Sequence, residues 1–168
     1  MDQCADCGFN YDLSQSAAAG WSICERVAEV VTILHARDCN VRSRRQPDVW
    51  SPLEYGCHLR DMLLVQRERV LAARRMDRPN CPPSGRDERA VHDGYAEQEP
   101  KDVARQLADA AQMFSNVLVR LSADDWDRKL STTTHKPAND HCGGSQHTPC
   151  MRHNTTCSTF AARSDQAA

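Results

Sequence analysis

Val49-Trp50-Ser51-Pro52-Leu53-Glu54-Tyr55-Gly56-Cys57-His58-Leu59-Arg60-Asp61 is the stretch on which the fold turns. Ser51 is a residue type that caps a helix, Pro52 suits the first helical position because its missing N–H has no partner there, and Glu54 can reach back to the cap's own N–H. A helix is therefore predicted to start at Ser51. Tyr55, Leu59, Met62, Leu63, Val70 and Leu71 continue it as an apolar stripe to about Met76, where Pro79, Pro82 and Pro83 break the pattern.

Working outward, two more helices carry the same kind of stripe. Upstream, residues 16–36 place Val27, Val30, Val31 and Leu34 on one face with Glu25 and Glu29 opposite. The polar, arginine-rich residues 38–48 read as a loop. Downstream, a shorter helical piece is predicted over 86–97. A long helix from Pro100 follows, with Val103, Leu107, Ala110, Phe114, Val117, Leu118 and Leu121 at steps of three and four. Asp124-Asp125-Trp126 reads as a short capping turn. Three amphipathic helices of this length want a fourth to close their core. Residues 131–168 do not offer one, because Met151 and Phe160 are their only large apolar residues. Four of the seven histidines and three of the nine cysteines lie there, among Thr, Gly, Asn and Ser. Such composition buries too little apolar surface to offset its ordering entropy. The domain reading is an N-terminal segment over 1–13, an incomplete helical bundle over 14–130, and a disordered tail over 131–168.

Composition narrows the function. A formal net charge of −2 gives no electrostatic case for nucleic acid or an anionic membrane. No run of apolar residues is long enough to span a bilayer. Met1-Asp2-Gln3-Cys4 offers neither a basic start nor an apolar stretch, so the expectation is a cytoplasmic protein. An odd count of nine cysteines speaks against a complete disulfide framework and for reduced thiols or metal ligands.

The run Val49–Asp61 resembles the second helix of DinB-like proteins. Gly85-Arg86-Asp87-Glu88-Arg89-Ala90, Tyr95-Ala96-Glu97-Gln98 with Pro100, and Leu121-Ser122-Ala123-Asp124-Asp125-Trp126 resemble later parts of the same family, so the likeness covers about residues 45 to 130. It implies an all-α, up-down four-helix bundle holding one divalent metal, Zn²⁺ or Ni²⁺, with three histidines. His58 matches the ligand from the second helix. The other two form an H-x-x-x-H pair on the last long helix, where side chains four apart share a face. A three-ligand site leaves positions open for water or substrate. The activity implied is that of a hydrolase or a thiol transferase acting on a small molecule, with a low-molecular-weight thiol as a further cofactor and homodimerisation common among relatives.

The chain departs from that pattern after Trp126, where no helix carries H-x-x-x-H. Few lysines (Lys101, Lys129 and Lys136) against many arginines point to a GC-rich gene, in which wrong-frame reading meets few stop codons. Reading each codon's last base with the next codon's first two from Ser131 onward, and barring stops, His135/Lys136 gives Gln, Asn139/Asp140 gives Arg and His141/Cys142 gives Leu. His147/Thr148, Cys150/Met151 and Asn154/Thr155 each give His or Tyr, and the shifted frame can be read as a helix with H-T-x-H-E-x-x-H-H. The expectation is a one-base frameshift near codons 130 to 131, leaving the last helix missing or miswritten and the activity impaired. The alternative is a non-catalytic remnant or a small metal-binding interaction module.

Other candidates carry their own readings. Cys4-x-x-Cys7-Gly8-Phe9 is half of a zinc ribbon, and ordinary reduced thiols are its plain alternative. His147-x-x-Cys150-x-x-His153-x-x-x-Cys157 has tolerable finger spacing without apolar residues to build a finger core. Glu54, Arg60 and Asp61 flank His58 and are candidates to orient a metal ligand or act as acid–base groups there, but charges on a helix are expected on a solvated face. Cys57 is expected as a small packing residue, and Trp50 and Trp126 as core or rim aromatics. No catalytic residue is named by the sequence.

Overall fold

In the computed structural model, residues 2–3, 10–11, 18–37 and 39–132 are described. The long helices are α1 (Ala19–His35), α2 (Pro52–Arg75) and α4 (Pro100–Leu118); α3 (Arg86–His92) and α5 (Ala123–Trp126) are short, and Tyr95–Glu97 is a single 3-10 turn. Two-residue strands pair at the margins. β1 (Asp2–Gln3) lies antiparallel to β2 (Asn10–Tyr11), and β3 (Asn80–Cys81) parallel to β4 (Ser131–Thr132). The architecture is all-α, as expected. The missing fourth helix and the tail from Thr133 onward fall outside the described residues.

The start of α2 is built as its sequence dictates. Ser51 Oγ accepts from the Glu54 N–H at 3.3 Å, and Glu54 Oε2 accepts from the Ser51 N–H at 2.8 Å, with Pro52 following the cap. A second capping box, Ser122 with Asp125, opens α5. By contrast α1 begins at Ala19, later than the expected Ser16, and has no side-chain cap.

α4 is the central element, with α1 and α2 each packed along it and touching one another far less. Ile23, Val27, Val30 and Leu34 from α1 meet Val103, Leu107, Ala110, Phe114 and Leu118 from α4, while Leu53, Cys57, Leu63 and Val70 come from α2. α1 runs against α4. A Cβ at Gly20 would meet the Ser115 hydroxyl and then its backbone, whereas at Gly56 the helices α1, α2 and α4 meet through Leu34 and Val103. Arg67, Leu71 and Arg74 lie beside Met113, Val117 and Arg120, so α2 and α4 run parallel.

The stripe inferred for α2 is shifted slightly in the structure. Leu53 and Cys57 are fully buried, while Tyr55 and Leu71 lie at the core's edge with Val31, Val117 and Leu121. The sharper difference is that Glu54 and Asp61 are buried rather than solvated, at 3% and 6% exposure. Each has a dedicated cationic partner, which is what allows a carboxylate to leave water. Among the described residues no helix is long and apolar enough to cross a membrane.

Candidate functional site

The corner around His58 is assembled from the start of α2 and the link that follows it. Trp50 is its hub: the indole lies edge-on to Tyr55, His58 and Tyr95, at 5.7, 5.2 and 6.1 Å between ring centroids. The Arg86 guanidinium sits 4.5 Å above the same indole, a cation–π contact. His58 is half-buried. Trp50 and Trp126 are half-buried as well, which places them at the rim, one of the two positions expected of them.

Behind this wall lies a buried polar network. Gly94, at φ 57°, takes a left-handed turn that suits glycine, and Tyr95 follows it fully buried. The Tyr95 hydroxyl donates to Asp61 Oδ2 at 2.6 Å, and Arg60 Nε donates to Asp61 Oδ1 at 2.7 Å. Arg60 Nη1 donates further to Gln98 Oε1 at 2.8 Å and Gln106 Oε1 at 2.7 Å, and Arg89 Nη1 stands 4.0 Å from Asp61. Burial first, and then the Asp61 carboxylate, hold the Tyr95 phenol well above its ordinary pKa, so it stays a donor.

Cys57, one position before His58, points the other way, into the core. Its thiol donates weakly to the Tyr95 carbonyl at 3.8 Å and the Gln98 side chain at 3.6 Å. Burial pushes it up to about 11, leaving a protonated packing residue as expected. Glu54 is engaged from the other side. Arg44 closes on its carboxylate with two nitrogens, Nε to Oε2 at 2.9 Å, and this partner holds the carboxyl below the usual carboxylate range.

These partners decide how far the corner fits a three-ligand metal centre. Glu54 and Asp61 lie one turn either side of His58, yet both are turned to cations and donors of the protein. Among the described residues, no three His, Cys, Asp or Glu side chains come together to hold an ion. The corner therefore supplies one candidate ligand, His58, and does not fit a three-ligand centre by itself. Cys4, Cys7, His147, Cys150, His153 and Cys157 lie outside the described residues.

Sequence reading missed Tyr95, Arg89, Gln98 and Gln106 as parts of this corner. Their only local signal was the Gly94-Tyr95 step, a turn residue followed by a large aromatic.

No curated protein and no solved structure matches the chain significantly. The family model of the DinB superfamily matches residues 24–153, taking in most of α1 as well as the His58 corner. It covers well over half of the chain, which therefore belongs to the DinB superfamily.

Proposed function

We propose that this chain is a relative of divalent-metal-dependent enzymes acting on a small molecule, a hydrolase or a thiol transferase, and that as it stands it is impaired in that chemistry. The reading is supported by the family together with one observation. His58 is half-buried at the Trp50 corner, while the neighbouring acids Glu54 and Asp61 are bound to Arg44 and to Arg60 and Tyr95. A buried α2 carboxylate would have to give up its cationic partner to join His58, which is costly. The two further ligands must then come from elsewhere in the chain, and the printed sequence after Trp126 has no H-x-x-x-H. The one-base shift near codons 130 to 131 explains that loss. The intact site would take Zn²⁺ or Ni²⁺, with a low-molecular-weight thiol if it is a transferase, in a cytoplasmic homodimer.

The second reading is a non-catalytic remnant, favoured by the lack of a three-ligand cluster among the described residues. A Zn²⁺ or Ni²⁺ titration followed by calorimetry separates the two. Stoichiometric binding at micromolar affinity or tighter, lost in His58→Ala, supports a working centre and removes the remnant reading. Binding lost in Cys4→Ser/Cys7→Ser and kept in His58→Ala points instead to a metal-binding interaction module. Resequencing codons 125 to 160 tests the frameshift directly.

A further inference from the structure

A second feature lies about two and a half turns along α2 from His58, measured from there to Arg67. Between the parallel C-terminal halves of α2 and α4 runs a groove of about 320 Å³. Leu71, Met113 and Val117 give it apolar walls, and Arg67, Arg74 and Arg120 carry guanidiniums to it; no carboxylate lines it. Met113 is a large apolar side chain left 41% exposed there.

The cations are differently committed. Arg67 pairs with Glu68, its sequence neighbour, and Arg74 reaches Asp125 at 3.5 Å. Arg120 donates to the Asn116 carbonyl at 2.6 Å and has no carboxylate within 4.0 Å among the described residues. Neutralising the carbonyl ends of two parallel helices accounts for Arg74, in the last turn of α2, and for the bond of Arg120 to the Asn116 carbonyl in the last turn of α4. It does not account for Arg67, which stands two turns before that end and so beyond the reach of the terminal partial charge.

We propose that this groove binds a small amphipathic anion, an alkyl carboxylate whose head is held by Arg67 and Arg120 and whose chain lies along Leu71, Met113 and Val117. Guanidinium matches a carboxylate in a two-pronged bond that an amide or alcohol cannot reproduce. The volume is at the small end of ligand sites and suits a short chain better than a protein segment. Methionine adapts its shape to such a chain at little cost.

The test uses the full chain and three probes: octanoate, its neutral analogue octanamide, and acetate, which has the head without the chain. Calorimetry is expected to show one saturable octanoate site, with octanamide and acetate roughly tenfold weaker or worse. Amide chemical-shift changes on octanoate addition should centre on residues 67–74 and 113–120. Arg67→Gln/Arg120→Gln should weaken octanoate roughly tenfold. Arg120 is exposed and Arg67 keeps a third of its side chain in solvent, and far-UV circular dichroism checks that the variant is folded. Met113→Glu, which adds a like charge beside the chain, is the second variant and should do the same. His58→Ala should leave octanoate binding unchanged, which separates this groove from the His58 corner. Absence of saturable octanoate binding, equal binding of octanamide, shift changes confined to other residues, or unchanged affinity in both folded variants each overturns the proposal.

Discussion

The two halves of α2 treat their charged residues in opposite ways. In the first half, from Ser51 to Asp61, Glu54, Arg60 and Asp61 are withdrawn from water, and each is matched by a partner from a distant part of the chain or from its own cap. In the second half, from Arg67 to Arg75, the cations stay in partial contact with solvent along an open groove, with partners that are adjacent or at the surface. The lesson is one of availability. A carboxylate in the closed half is stable because its partners consume it, and for the same reason it is not free to bind a metal beside His58. A guanidinium in the open half contributes little to the fold and remains able to take a ligand.

The largest effect should come from breaking the closed half at its centre. Asp61→Ala would leave the Arg60 guanidinium, 11% exposed, without its anion and the Tyr95 hydroxyl without its acceptor. The expected loss is about 3–5 kcal/mol of stability, because an uncompensated buried charge costs more than the pair contributed. Urea denaturation measures it. A loss below about 1 kcal/mol, the level of a surface pair, would mean that water reaches this network and that Asp61 is available after all.

Tyr95→Phe is the milder cut, since Arg60 still satisfies Asp61. About 1–2 kcal/mol is expected. Combining it with Asp61→Asn in a double-mutant cycle should give a coupling of about 1–3 kcal/mol if the hydroxyl and carboxylate act as one unit. Additive losses would separate them.

What could be read without the structure follows the same division. The capping box at Ser51 and Glu54 was legible because its partners are three residues apart, and the stripe on α4 because helical packing repeats at that spacing. Glu54 and Asp61 were expected in solvent because nothing local announces Arg44, ten residues upstream of Glu54, or Tyr95, thirty-four residues beyond Asp61. The first pairing exists only once the loop before α2 has folded onto the start of that helix, and the second once the link after α2 has folded back. His58 was found through family resemblance to the residues around it. Its surroundings of Trp50, Arg86 and Tyr95 depend on the turns at Gly85 and Gly94, which bring distant residues together. The groove had no signal of its own: Leu71 and Val117 belong to the apolar stripes, and only the parallel course of α2 and α4 sets three arginines beside them.

Glu54 offers a test of the closed half by pH. Arg44 lowers its pKa in the folded protein. A group whose folded pKa is depressed contributes stability above its unfolded value, about 4.3 for glutamate, and loses it as pH falls through the folded value. Stability should therefore drop below about pH 4.3 on the acid side. In Glu54→Gln, which keeps a capping acceptor, this component of the acid limb should disappear, with a loss at neutral pH of about 1 kcal/mol because Arg44 is partly solvated. Chemical denaturation between pH 3 and 7 checks both. An unchanged acid limb would show that the Arg44 pair is screened as a surface pair would be.

The smallest effect belongs to the open half. Arg67 keeps a third of its side chain in solvent, and its partner Glu68 is more exposed still. Arg67→Ala should change stability by no more than about 0.5 kcal/mol, since the Glu68 carboxylate it leaves behind is exposed to water. The same substitution should weaken an anion in the groove, so stability and binding part company at this residue where at Asp61 they cannot. A loss approaching that of Tyr95→Phe would mean that the Arg67 stem packs as part of the core, and the contrast between the two halves of α2 would then be one of degree.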